Sequence, residues 1–211
     1  MKPSNREQWK TASDNDFTGD HLEFKQAINF NFKDFKNMKV LDYGCGAGKM
    51  GMEFARHGAK VTCADIVKEN IEVARSNFQS AKLQGDFIYL EDSDAIPKGN
   101  EYFDIVWCFG VLHHIENVEP VIQELKRVLK KGGIIYVMLY TEFLIEKTLN
   151  EMIKNNIYPW NMGFGFITDK CDYSRFYSAD KVYITFKDFK MLEYGLFHNR
   201  QFRIYKLRRI R

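Results

Sequence analysis

Four groups of residues in this chain have types and spacings that could do chemistry. Asp42-Tyr43-Gly44-Cys45-Gly46-Ala47-Gly48 sets an acid ahead of three alternating glycines. Glycine opens backbone angles closed to other residues and lets main chain approach a ligand closely. A second acid, Asp65, ends the next apolar run about 20 residues on, where a carboxylate can accept both ribose hydroxyls of a nucleoside. The third group is Glu91-Asp92-Ser93-Asp94-Ala95-Ile96-Pro97, in which a carboxylate can accept from an adenine amino group while a neighbouring N–H donates to the ring. The fourth is His113-His114, a pair of candidate general bases just beyond an apolar strand pattern.

These groups need elements to hold them. Val40–Tyr43 reads as a buried strand entering the glycine turn, followed by a helix over Lys49–His57 whose free N–H groups face the ligand. Strand Lys60–Ala64 leads to Asp65, and a helix is expected over Lys68–Ser80 from its apolar spacing. Strands are expected at Asp86–Leu90, Phe103–Cys108 and Ile134–Tyr140. A helix over Val118–Lys130 carries Pro120 in its first turn and is expected to stop at Gly132-Gly133. Lys190–Phe197 and Gln201–Leu207 alternate in polarity and predict a closing hairpin. The fold class is therefore α/β: a doubly wound, Rossmann-like, mostly parallel seven-stranded sheet with a C-terminal antiparallel hairpin and helices on both faces.

A single domain is expected over 1–211. It comprises an N-terminal helical cap at 1–38, with Leu22–Phe30 helical, and a cofactor-binding core at 39–140. A helix and an aromatic insert lacking regular structure follow at 141–188, then the hairpin at 189–211. The cap could also act as a lid contributing Trp9, Lys10 or His21. Ser178 is placed to cap a short helix running to about Phe186.

Composition narrows the functional classes. With 211 residues and 45% hydrophobic content the chain can bury one sizeable core. A net charge of only +3 gives no electrostatic case for nucleic acid or a membrane surface. The basic end, Lys206-Leu207-Arg208-Arg209-Ile210-Arg211, reads as a solvated tail. Cys45, Cys63, Cys108 and Cys171 form no Cys-x-x-Cys pair, so zinc is not expected and free thiols in a reducing cytoplasm are. No apolar run has the length of a membrane span.

In order and spacing, the glycine motif, the acid after strand two and the Asp-x-x-x-x-Pro after strand three match a known series. It continues with Phe103-Asp104-Ile105-Val106, its Leu-His-His-Ile extension, and Leu125-Lys126-Arg127-Val128-Leu129-Lys130-Lys131-Gly132-Gly133. The series resembles the class I S-adenosylmethionine-dependent methyltransferases over roughly residues 39–140. Thr168-Asp169, then Phe176-Tyr177-Ser178, Phe186 and Phe189, look like a bacterial branch acting on small molecules of unassigned identity.

The resemblance implies S-adenosylmethionine as cofactor and a small-molecule methyl acceptor; the low net charge and the lack of a trio of acids after strand four give no expectation of a nucleic acid, membrane or metal partner. It implies that Gly44, Cys45 and Gly46 bring backbone against the methionine part and that Asp42 holds its ammonium. Asp65 takes the ribose hydroxyls, Ile66 packs on adenine, Asp92 meets the adenine amino group, Ser93 offers its N–H, and Phe109 lies beside the methionine. Of His113 and His114, one is expected to pack inward and the other to face the site as a general base. Asp169, Tyr140, Tyr177 and His198 are further candidates for acceptor contacts. Two other classes stay open: an NAD-dependent oxidoreductase, disfavoured because the third glycine comes one position early, and a non-catalytic protein that binds cofactor or partner.

Overall fold

The computed structural model describes residues 23–141, 165–168, 171–198 and 200–210. Its strands are β1 (Lys39–Tyr43), β2 (Lys60–Asp65), β3 (Asp86–Tyr89), β4 (Phe103–Phe109), β5 (Leu129–Tyr140), β6 (Gly165–Thr168), β7 (Cys171–Arg175), β8 (Phe189–Phe197) and β9 (Phe202–Arg209). Its helices are α1 (Phe24–Ala27), α2 (Lys49–Arg56), α3 (Lys68–Ser80), α4 (Glu119–Val128) and α5 (Ala179–Thr185). Two 3-10 turns lie at Phe32–Phe35 and Leu112–His114.

Seven strands form one sheet in the order β3-β2-β1-β4-β5-β9-β8. The pairs from β3 to β5 are parallel, and β9 joins β5 antiparallel, with β8 outside it. The strand order reverses between β1 and β4. At such a point the carboxyl ends of the strands leave a crevice for a ligand.

Parallel strands covered on both faces need apolar residues at successive positions. In β4, Val106 and Cys108 enter one core cluster with Leu125 and Val128 of α4. Ile105 and Trp107 enter the other, with Phe54 of α2 and Phe78 of α3. The second cluster also takes Phe24, Ile28, Phe30, Phe32 and Phe35, so residues 24–35 cover the sheet.

The expected helix over Leu22–Phe30 is a single turn, α1. Ile28 is already extended, with φ −138° and ψ 157°, and it and Phe30 turn into the core instead of continuing the helix. α1 rests on β8: a Cβ at Gly195 would overlap the Ala27 carbonyl. Gly195→Ala should therefore lower stability by about 1–3 kcal/mol, the usual cost of overpacking. An unchanged thermal midpoint would show that this seat contributes nothing.

Three other expectations are corrected. Helix α4 ends at Val128, and Gly132-Gly133 lie inside β5 rather than stopping a helix. Leu129 already pairs with Phe103, and a register shift follows between Phe103 and Ile105. Gly132 takes φ +74°, and a Cβ at Gly133 would come within 2.9 Å of the Asp104 carbonyl, so these glycines shape an irregular strand start. The basic end is not a solvated tail: Lys206–Arg209 belong to β9, and buried Arg209 donates to the Leu129 carbonyl. Part of the aromatic insert is regular, since β6 and β7 pair antiparallel. Of the helix expected over 141–154 only Thr141 is described, its backbone N–H donating to the Gln201 carbonyl; residues 142–154, Trp9, Lys10, His21 and Asp169 lie outside the described residues.

Ser178 caps α5 as expected, its Oγ accepting from Lys181 N–H at 3.4 Å. Among the described residues no helix is long and apolar enough to cross a membrane, and no group of His, Cys, Asp or Glu is arranged to hold a metal ion.

Candidate active site at the carboxyl ends of β1, β2 and β4

β1 delivers Asp42 and Tyr43 to opposite faces. Asp42 is buried toward α2, where its Oδ2 accepts the Gly51 N–H at 2.9 Å. That single backbone donor does not offset burial, and the Asp42 carboxyl is pushed up to about 7, with Asp65 adding a smaller repulsion. The turn then runs through Gly44 and Gly46 at φ +72° and +51°. Gly46 has open space where a Cβ would sit, so it is the angle that calls for glycine there. At Gly44 the constraint is also steric, since a Cβ would overlap the Val111 γ-methyl.

Asp65 ties this turn to the start of α3. Its carboxylate accepts from Gly46 N–H at 2.9 Å and from Val67 N–H at 2.8 Å. Burial raises its pKa, against the pull of these two donors and the Asn70 side chain. A carboxylate has about four lone-pair positions, and donors from Gly46, Val67, Asn70 and Ile66 already draw on them, so ligand hydroxyls would share the carboxylate with these donors.

A cavity of about 30 Å³ opens between Tyr43, Gly44, Asp65, Ile66, Leu90, Ser93, Val111 and Ile115. Its lining suits a nucleoside: a carboxylate for ribose, apolar faces from Ile66, Leu90 and Ile115 for a base, and Ser93 at the rim. Its size does not, because ligand pockets run to roughly 300 Å³ and more. Val111 fills the space beside Gly44, and Gly110 before it takes φ +78°.

Gly44, Asp65, Ile66 and Ser93 thus come together, with Asp42, Cys45 and Gly46 around them. Cys45 N–H donates to the Ala64 carbonyl at 3.1 Å. The Cys63 thiol beside it, and burial, push the Cys45 thiol well above its usual range, so it is no nucleophile at neutral pH. Asp92 is exposed and does not line the cavity, and Phe109 stacks on Trp107, with centroids 5.3 Å apart, at the edge of the other core cluster. Tyr43, Leu90, Val111 and Ile115 were not singled out from sequence. Their type gives no signal, although each lies within two positions of a residue that was.

The 3-10 turn after β4 carries the two histidines into different settings. His113 is fully buried and stacks on Tyr140, with centroids 3.6 Å apart. Burial, and then His114 beside it, hold its imidazole well below its usual protonation range. His114 is 6% exposed, and its backbone N–H donates to the Val111 carbonyl at 2.9 Å. Tyr140 continues a row of rings through Phe202 to the exposed His198. Tyr177 is buried, and its N–H donates to the Tyr140 carbonyl at 3.0 Å.

Comparison with known proteins finds similarity to methyltransferases. Residues 41–137 match a methyltransferase domain family. The ubiquinone biosynthesis O-methyltransferase of Pelagibacter ubique is 32% identical over 131 residues, which cover 62% of this chain and 50% of that protein. The protein of the same name from Rickettsia canadensis is 28% identical, covering 82% of this chain and 74% of its own length. This chain therefore spans half of the first relative and about three quarters of the second. Among solved structures, Burkholderia thailandensis 1,6-didemethyltoxoflavin-N1-methyltransferase, with bound 1,6-didemethyltoxoflavin and S-adenosylhomocysteine, superposes with a TM-score of 0.71 at 14% identity. That match covers 98% of this chain and 87% of that one. Over residues 41–137 the chain is thus similar to a methyltransferase domain family, and it shares the fold of the solved methyltransferase structure.

Proposed function

We propose that the protein transfers a methyl group from S-adenosylmethionine to an oxygen or nitrogen atom of a small molecule. The observation that carries this reading is the cavity itself, where Asp65, Ser93 and apolar faces converge at the carboxyl ends of parallel strands. The relatives named O-methyltransferase favour oxygen as the acceptor atom. The low net charge favours a small acceptor over nucleic acid. Unpaired Cys45, Cys63 and Cys108 suit a reducing, cytoplasmic setting.

In this reading Gly44, Cys45 and Gly46 approach the methionine part, with Asp42 at its ammonium and Phe109 alongside. Asp65 holds the ribose, while Ile66, Asp92 and Ser93 attend the adenine. The cofactor supplies an activated methyl group when bound. The chain's own work is to orient the acceptor, exclude water and receive a proton where the acceptor must lose one.

His114 is the better base, since His113 is sealed against Tyr140. His114→Ala should lower turnover by about 10²–10⁴-fold, the usual worth of a general base, with S-adenosylhomocysteine affinity kept. His113→Ala should instead cost stability, on the order of 2–4 kcal/mol, by removing a buried ring. Equal turnover in His114→Ala and the parent chain would remove the base assignment. The function itself is tested by calorimetric titration with S-adenosylhomocysteine and, in parallel, NAD. Binding of the first alone is expected. Binding of NAD alone would replace the reading with an oxidoreductase, and binding of neither with a non-catalytic role.

A further inference from the structure

The segment from Glu91 to Asn100, between β3 and β4, carries Asp92 and Ser93 yet has no regular structure of its own. Something else must hold it. From inside, the Tyr43 hydroxyl donates to the Ser93 carbonyl at 2.5 Å. From outside, one side chain of α4 spans the rest.

All five N–H groups of the Arg127 guanidinium have acceptors. Nε donates to Glu124 Oε2 at 2.6 Å, and one Nη2 hydrogen to Glu124 Oε1 at 2.7 Å. The other Nη2 hydrogen reaches the Ile96 carbonyl at 3.0 Å. The two Nη1 hydrogens reach the Lys98 carbonyl and Asn100 Oδ1, both at 2.9 Å. Glu124 closes the ring by accepting the Ile96 N–H through Oε1 at 2.7 Å. The end of α4 also receives the chain leaving the segment, since Glu101 N–H donates to the Arg127 carbonyl and Tyr102 N–H to that of Val128.

A lone Arg–Glu pair with its arginine 35% exposed would be worth little. This one is different in kind, because three of its five bonds go to the segment's own backbone and side chains. The planar fork matches five acceptors at once, which a lysine ammonium with three donors cannot do.

We infer that Arg127 is a positioning residue that sets the adenine selectivity of the cofactor site, acting through the 91–100 segment. The inference rests on the reading above that Asp92 and Ser93 face the adenine. Selectivity for an exocyclic amino group depends on a buried or well-held partner at a fixed place. Ile96, 3% exposed, is the pivot: its N–H and carbonyl are both taken by the Glu124–Arg127 pair. Without the fork, the segment loses its bonds from Arg127 to the Ile96 and Lys98 carbonyls and to Asn100, keeping the Tyr43 and Glu124 anchors, the Lys98–Asp86 pair and buried Ile96, and the adenine edge is held less firmly.

The test is calorimetric binding of S-adenosylhomocysteine and of S-inosylhomocysteine, in which a carbonyl replaces the adenine amino group. The parent chain should prefer the adenosyl ligand by about tenfold or more, the worth of one well-placed hydrogen bond. Arg127→Ala should bring that ratio toward one, and Arg127→Lys should fall between. A purely structural role for Arg127 would weaken both ligands alike and leave the ratio where it was, which would overturn the inference alone. A parent chain that binds both ligands equally would overturn the adenine reading and the inference with it. Arg127→Lys, with folding checked by circular dichroism, decides the matter should Arg127→Ala not fold.

Discussion

Asp65→Ala is expected to weaken S-adenosylhomocysteine binding by about 2–4 kcal/mol, a roughly 30- to 1,000-fold rise in Kd. Charge-assisted bonds to two ribose hydroxyls would be lost. The structure adds a second contribution. Asp65 also accepts the Gly46 and Val67 N–H groups, so alanine frees two backbone donors and loosens the turn that must meet the cofactor. Asp65→Asn keeps one carbonyl acceptor and should lose less. Calorimetry on the three proteins checks this, and a dissociation constant unchanged in Asp65→Ala would remove the ribose assignment.

Asp42→Asn should have opposite effects on stability and on binding. The Asp42 carboxyl is pushed up to about 7 by burial, against about 3.9 in an unfolded chain. Below about pH 4 the group is protonated in both states and adds nothing to the pH dependence. Between about pH 4 and 7 the folded chain holds a proton that the unfolded chain has released, so stability falls as pH rises through that window. At about 1.4 kcal/mol per unit the whole loss is on the order of 4 kcal/mol. The amide oxygen of an asparagine at this position can still accept the Gly51 N–H, and the side chain has no charge to bury. The variant should therefore melt higher than the parent at about pH 8, with the difference vanishing toward about pH 4.

Cofactor binding should move the other way. An ammonium beside Asp42 favours the carboxylate, so parent affinity should rise with pH up to about 7, and the flatter curve of Asp42→Asn should lie below it. Thermal melts and titrations across roughly pH 5–8 read both effects. Equal melting temperatures at the alkaline end would show that Asp42 carries no burial penalty. A pH-independent affinity in the parent would separate Asp42 from the ammonium.

Much of the site was legible in the chain's own pattern. The α3 helix came out over Lys68–Ser80 as its apolar spacing demanded, and the alternating C-terminal strands paired as a hairpin. Gly44, Asp65, Ile66 and Ser93, far apart along the chain, line one cavity because strand ends in a parallel sheet share one edge. Local pattern carries such information: a period of two or 3.6 residues states which face is buried, and a glycine before a helix states where the chain turns.

Other features lay beyond local pattern. Gly132-Gly133 read as a helix stop, yet pairing of Leu129 with Phe103 ended α4 earlier and drew both glycines into β5. The basic end read as solvated, yet the open edge of β5 took it as β9, because an unpaired strand edge gains a full ladder of hydrogen bonds. Nothing in the words His-His says that the His113 ring is sealed; its stack on Tyr140, a strand away, does. Nor could composition assign Arg127 to a segment some 30 positions upstream. Periodicity and backbone angles were enough for the layered sheet, its glycine turn and its acids, because each of these is a local property of the chain. The neighbours that each polar group meets come from strands and helices distant in sequence, so its charge, its burial and its hold on the site emerge only when the chain is packed.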